Sequence, residues 1–325
     1  DTVAPEVTVS SNVASVAAGG TATISFTLSE ASSDFVESDV VVTGGTLGTW
    51  DDTGAPTYTA VFTPDPDFVG AATITVPAAA FSDSAGNDNT SGAVSLAVNT
   101  VAPTVAITSS ATTLGSNDTA VISFVLSADS VDFIEADITA VGGLLSGFSG
   151  SGSTYSVIFT PTADSTTPGQ ISVAEDKFED ADGNKNLAGA LATAITIDTV
   201  APTTTIESPS PASVGIGETS TVTITLGKPS TDFAIGDIAV AGGTLSDFVA
   251  VSSTVYTVVF TPDADSTTSG TINVPAGVFT DAAGNDNAAA TEKTITVDTV
   301  APEVTVSSNV ASVATGGTAT ISFTL

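Results

Sequence analysis

The tetrapeptide Thr-Val-Ala-Pro occurs four times, at 2–5, 100–103, 199–202 and 299–302, so its prolines stand 98, 99 and 100 residues apart. Other landmarks keep the same spacing: Gly-Gly-Thr-Leu begins at Gly44, Gly-Gly-Leu-Leu at Gly142 and Gly-Gly-Thr-Leu again at Gly242. Each is followed by an aromatic segment ending in Phe-Thr-Pro, opening at Tyr58, Tyr155 and Tyr256. Such a period is too long for a solenoid coil or a propeller blade and matches one independently folded domain. The chain therefore divides into repeat 1 (1–99), repeat 2 (100–198), repeat 3 (199–298) and the opening strands of a fourth (299–325).

Within each repeat, short runs of alternating apolar residues are separated by Gly, Pro, Ser and Asp clusters, the pattern of half-buried strands and turns. In repeat 2 the inward positions are Val105 and Ile107; Ile122, Phe124 and Leu126; Ile138 and Ala140; Leu145 and Phe148; Tyr155, Val157 and Phe159; Ile171 and Val173; Ile195 and Ile197. No segment has the period of a long amphipathic helix. The expected fold is all-β: tandem seven-stranded antiparallel Ig-like β-sandwiches in an extended rod. Trp50 aligns with Phe148 and Phe248, and with the three tyrosines it reads as core.

Charge excludes several partners. Thirty-six acidic residues face only Lys177, Lys185, Lys228 and Lys293, with no Arg or His, for a net charge of -32. Nucleic acid and anionic membrane surfaces both require cationic side chains, so neither binds here. With no Cys there is no disulfide framework, and without Cys or His only oxygen-ligated metals remain plausible. No apolar run suffices for membrane insertion, and the absence of a basic-then-apolar start reads as the interior of a larger protein.

The acids concentrate in loops. One loop carries Asp34 and Asp39, recurring as Asp132 and Asp137, then Asp232 and Asp237. A second reads Asp-Ser-Ala-Gly-Asn from Asp83 to Asn87, then Asp180, Asp182 and Asn184, then Asp281 and Asn285. A third holds Asp67, Asp164 and Asp265, and the linkers add Asp198 and Asp298, with Asn99 at the first junction. If seven strands alternate in direction, the first two loops lie where the chain enters a repeat and the third where it leaves. Asp164, Asp198, Asp232, Asp237, Asp281 and Asn285 would then converge at the junction of repeats 2 and 3. Such carboxylates repel within a Debye length, and Ca²⁺, which takes six to eight oxygen ligands, suits the cluster. The Asp-x-x-Gly-Asn sequence also suits a plain turn, but a turn does not explain three loops on one pole. An EF-hand is rejected, because Leu191 stands where its twelfth-position Glu belongs.

Five motifs in one order, three times over, carry a resemblance: Asp-Thr-Val-Ala-Pro, the Phe-x-x-x-Asp-Ile segment, Gly-Gly-Thr-Leu, Thr-Tyr-x-x-x-Phe-Thr-Pro and Phe-x-Asp-x-x-Gly-Asn-x-Asn. Together they resemble the bacterial Ig-like domains strung in tandem through the extender region of giant RTX-type surface adhesins. The resemblance implies a secreted chain at the bacterial cell surface that projects an adhesive domain, with calcium at the domain junctions on the positions named above. Lys185 in place of Asp88 and Asp286, and Asn99 in place of Asp198, predict unequal sites.

Rival readings are fewer in support. An enzyme would need a cleft with perturbed groups, and nothing in the sequence offers one. A carbohydrate- or protein-binding module would need exposed aromatics. A self-assembling extracellular filament, of biofilm-matrix or S-layer type, is suggested by residues 298–325, which repeat 1–28 at 27 of 28 positions, differing only where Ala18 becomes Thr315. Two strands alone cannot bury a core. The segment is expected to continue into a further repeat or to pair with strands of a neighbouring chain.

Overall fold

The computed structural model describes residues 2–325. Among them the regular structure is strand, with three single-turn 3-10 helices. The chain gathers into two compact units. One runs to Thr112 and takes in Thr119–Thr160 and Pro168–Thr196; the other comprises Thr113–Asp118, Pro161–Thr167 and Ile197–Leu325. The first contains repeat 1 and most of repeat 2, the second contains repeat 3 together with the end of repeat 2 that leads into it.

Repeat 1 has eight strands: β1 (Val7–Ser11), β2 (Ser15–Ala17), β3 (Ala22–Leu28), β4 (Val41–Thr43), β5 (Gly45–Asp51), β6 (Thr57–Pro64), β7 (Val69–Val76) and β8 (Gly92–Asn99). They form two sheets, β1-β3-β6-β5 and β2-β8-β7-β4. The two inner faces meet in one core, with Ile24, Phe26, Tyr58 and Phe62 from the first sheet against Ile74, Val76, Leu96 and Val98 from the second. Full burial of each such side chain contributes about 1.5–3 kcal/mol. Register keeps the aromatics together: Phe26 stands opposite Tyr58 and Ala22 opposite Phe62.

The expected seven antiparallel strands become eight because the first is split between the sheets. Asn12 is held to β3, its Oδ1 accepting Thr23 N–H at 2.7 Å, while Ser11 Oγ accepts Val13 N–H. These bonds turn the chain, so β2 crosses over and pairs in parallel with β8, Val16 opposite Val98. Repeat 3 does the same, Val214 pairing in parallel with Val297. The sequence pattern assigned no strand to this segment, so the crossover is a finding of the structure.

The expected faces otherwise hold. In repeat 2 every inward position is buried except Ala140, Leu145 and Phe148, which are half-buried. Trp50 packs on Phe26 and Phe35, with ring centroids 5.4 Å from each, and Phe148 and Phe248 stack on Tyr155 and Tyr256 in the same seat. The paired glycines are explained by close approach. A Cβ at Gly45, Gly143 or Gly243 would lie 2.3–2.4 Å from a backbone carbonyl of the neighbouring strand.

The last segment forms only a hairpin, Thr305–Ser308 with Ile321–Thr324, Val306 opposite Phe323. All of its residues are exposed.

Candidate functional site at the repeat junctions

The Thr-Val-Ala-Pro linkers at 100–103 and 199–202 are each stitched to the repeat before by the threonine and to the repeat after by the proline. The buried Thr100 donates its Oγ1–H to Asp65 O at 2.8 Å and accepts Phe68 N–H at 2.8 Å. Pro103 O then accepts Leu187 N–H at 2.9 Å. The pattern recurs: Thr199 bonds Thr162 O and Ser165 N–H, and Pro202 O accepts Ala288 N–H at 3.0 Å. A hydroxyl that both donates and accepts, followed by a φ-restricted residue whose carbonyl is occupied, leaves the linker little freedom.

The Asp-x-x-Gly-Asn loop completes the joint. Asp83 Oδ1 accepts the N–H groups of Ala85 and Asn87, and Oδ2 accepts Asn87 Nδ2–H at 2.8 Å. Asp180 and Asp281 repeat these bonds, and Gly86, Gly183 and Gly284 turn the chain at φ between +80° and +89°. The Asn87 donor holds the Asp83 carboxyl below the ordinary carboxylate range. So built, the turn aims the asparagine carbonyl oxygen outward. Asn184 Oδ1 accepts Ala18 N–H of repeat 1 at 2.8 Å, and Asn285 Oδ1 accepts Ser116 N–H of repeat 2 at 2.7 Å. Both asparagines are 1% exposed, whereas Asn87 is half-buried.

The second joint also holds an ion cluster. Lys228 Nζ lies 2.7 Å from Asp198 Oδ1 and 2.8 Å from Asp281 Oδ2, and it donates to Val200 O as well. Asn285 Nδ2 reaches Asp198 O at 2.8 Å. The Asp281 side chain is 2% exposed. Burial alone would raise its carboxyl, but the bonds from Lys228 and Asn285 outweigh burial and hold it below the usual range. Burial alone would likewise lower Lys228, and its two carboxylate partners raise it instead. Gly115 lies against this loop so closely that a Cβ there would meet Ala283 O at 2.3 Å.

The remaining acids occupy local positions. Asp34 accepts Ser82 N–H and Oγ–H, Asp132 accepts Glu179 N–H and Asp232 accepts Thr280 N–H, each tying the first loop to the second. Ser32 and Ser230 hydroxyls hold Asp34 and Asp232 below the ordinary range. Asp39, Asp137 and Asp237 close the 3-10 turns by accepting the N–H of Val36, Ile134 and Ala234. Asp67, Asp164 and Asp265 are turn residues with φ near +50°. Asp298 accepts Val300 N–H. Asp182 Oδ2 accepts Asn99 Nδ2–H at 2.7 Å across the first joint.

Of the six residues expected to converge at the second joint, the structure brings together Asp198, Asp281 and Asn285. No hydrogen bond links Asp164, Asp232 or Asp237 to them among the described residues. There too, no group of three or more Asp, Glu, His or Cys forms a metal-ligating set. The donor set at the second joint fits an ammonium, which Lys228 supplies. Sequence reasoning overlooked this lysine, although it stands where the other repeats have Glu30 and Ala128. It also gave no role to Asn89, Asn186 and Asn287. These are buried and bridge Pro77 and Phe81, Ala174 and Phe178, and Pro275 and Phe279 with both ends of the amide.

Among solved structures, an Escherichia coli adhesin, FdeC, is 14% identical over 91% of this chain and 98% of its own, with a TM-score of 0.36. The titin I-band fragment I67-I69 is 10% identical over 92% and 99%, with a TM-score of 0.39. InvD of Yersinia pseudotuberculosis is 16% identical over 86% and 71%, with a TM-score of 0.29. These likenesses are too distant to carry any inference of their own. No curated protein matches the chain. The family described as bacterial Ig-like domain matches residues 1–100, 99–197 and 198–297. Three consecutive matches span nearly all of the sequence, and the chain belongs to the bacterial Ig-like domain family.

Proposed function

We propose that this chain is a stretch of the stalk of a secreted bacterial surface adhesin or extracellular fibre, a mechanical spacer that carries an adhesive domain away from the cell. The observation that supports this most is the joint. The linkers at 100–103 and 199–202 are bonded on both sides, and at each an asparagine from the following repeat is buried against the turn of the repeat before it. Domains joined only by a free linker move independently, whereas a joint with buried polar contacts resists bending. The tyrosines and Trp50 that a binding module would display lie in the cores. No helix among the described residues is long and apolar enough to cross a membrane.

Calcium enters this proposal at the first joint, where the exposed Asp182 carboxylate meets Asn99 at 2.7 Å and the ion pairs of Lys228 have no counterpart among the described residues. The second joint has its own cation. Small-angle scattering of the full chain tests the stalk: the wild type should give one narrow distribution of end-to-end lengths, and Asn184→Ala with Asn285→Ala a broad, shorter one. Equal distributions would defeat the reading.

A further inference from the structure

Repeat 2 differs from its neighbours on one outward face. Its first sheet consists of Val105–Ser109, Ala120–Ser130 and Gly143–Pro161. On the side away from the core, Val121 is 47% exposed, Val125 52%, Ile158 41% and Leu144 77%. Val121 stands directly opposite Ile158, and Val125 opposite Ala106. Gly143 and Gly147 both lie against the strand of Ile158, a Cβ on them meeting Thr160 O and Ile158 Cδ1. Leu144, between them, therefore flanks Ile158 on the side away from Val121. The aliphatic side chains form one surface around Ser123 and Ser156, which stand opposite each other.

At the same places repeat 1 has Thr23, Thr27 and Thr46, and repeat 3 has Thr221, Thr225 and Thr244. Repeat 2 has exchanged three hydroxyls for aliphatic groups, while the buried side of the same strand keeps Ile122, Phe124 and Leu126 where repeat 1 has Ile24, Phe26 and Leu28. Scattered exposed aliphatics are ordinary, but a contiguous group on a face that is threonine in both sister repeats marks an interaction surface.

Charge decides what covers it. Of the 36 acids, these three strands hold only Asp129, beside the end of Ala120–Ser130, and they hold no lysine. A cationic partner would be drawn to the acidic loops instead, and an anionic one is repelled by a net charge of -32. What fits is a second uncharged, aliphatic sheet face, and another copy of the chain presents one of the same shape.

We propose that two copies of this chain pair through this face of repeat 2, sheet on sheet about a twofold axis near Ser123, with strands within about 30° of alignment as in a sandwich. Three strands about 4.8 Å apart and five residues of about 3.4 Å each cover roughly 250 Å². That is well short of the roughly 800 Å² per partner of a stable complex. The pairing is therefore weak and reversible, and the like charge of the two copies opposes it until salt screens them within about 8–10 Å. It goes beyond the stalk reading and does not depend on it; between stalks it would be a lateral contact.

Sedimentation equilibrium of the full chain should show a monomer–dimer equilibrium that strengthens from about 0.1 M to about 1 M sodium chloride. The combined variant Val121→Thr, Val125→Thr, Leu144→Thr carries only residues that the sister repeats have at those places, so it keeps the fold. It should dimerise at least about 10-fold more weakly. In a second measurement, Ser123→Cys gives the chain its single cysteine. It should oxidise to a disulfide-linked dimer, more slowly once the three threonines are present. Ser25→Cys, at the same position of repeat 1, should lag behind it. A chain that stays monomeric at every salt concentration, a dimer indifferent to the three threonines, or equal cross-linking of Ser25→Cys and Ser123→Cys would overturn the proposal. So would a monomer whose face binds an apolar dye until the threonines abolish it, because the face would then belong to a different partner.

Discussion

Asn285 accepts the backbone N–H of Ser116 at 2.7 Å, across a sequence separation of 169 residues. The bond joins a loop of repeat 3 to a turn of repeat 2, and Asn184 with Ala18 makes its counterpart one repeat earlier. Because the acceptor is a side chain and the donor is main chain, this bond requires a particular side chain at Asn285 and none at Ser116.

Replacing Asn285 by Ala should therefore leave repeat 3 folded while loosening its attachment. The Ser116 N–H loses its partner, at a cost of about 1–3 kcal/mol. Hydrogen exchange should show faster exchange of Ser116 and an unchanged core at Ile224 and Phe260. Unchanged protection of Ser116 would contradict the bond's role.

The Lys228 cluster predicts a joint sensitive at both pH extremes. Asp281 titrates below its ordinary value in the folded chain, so its contribution is present above the unfolded carboxylate range, about 3.9, and is lost as pH falls through the lower folded value. Lys228 titrates above its ordinary value, so its contribution is present below about 10.4 and is lost as pH rises through the higher folded value. Lys228→Met should remove the alkaline loss and lower stability near neutrality by about 1–3 kcal/mol, because Asp281 stays buried without its counterion. Thermal melts of both chains across pH decide this.

Gly115→Ala should open the same joint by a different route. Its Cβ would lie 2.3 Å from Ala283 O, a backbone atom that cannot rotate away. A loss of about 1–3 kcal/mol is expected, as for overpacked cores. Gly236→Ala, whose Cβ meets nothing within 4 Å, should be neutral by comparison. Chemical denaturation of the two chains gives the difference.

Asn99→Asp separates the calcium proposal from a joint held by hydrogen bonds alone. Asn99 now donates to Asp182 at 2.7 Å, and an aspartate there would oppose the Asp182 carboxylate. Without calcium the substitution should weaken the first joint, by less than about 1 kcal/mol because the pair is solvated. With millimolar calcium the loss should reverse, and calorimetry should detect binding stronger than in the wild type. A loss unaffected by calcium would leave the first joint with hydrogen bonds as its cement.

What the sequence determined by itself is whatever repeats along the chain or alternates within a few residues. The Thr-Val-Ala-Pro period set the repeats, and the two-residue alternation placed Phe26, Tyr58 and Phe62 in a core, because successive side chains of a strand point to opposite faces whatever lies beyond it. Only the tertiary structure decided that β2 leaves the sheet of β1, since alternation says which face is buried but not which neighbour covers it. Only it showed that Lys228 stands between Asp198 and Asp281, 30 and 53 residues away. Counting carboxylates could place charge at a pole of the fold, but neutralisation depends on which side chains come within about 3 Å, and that is settled by the path of the backbone through the joint.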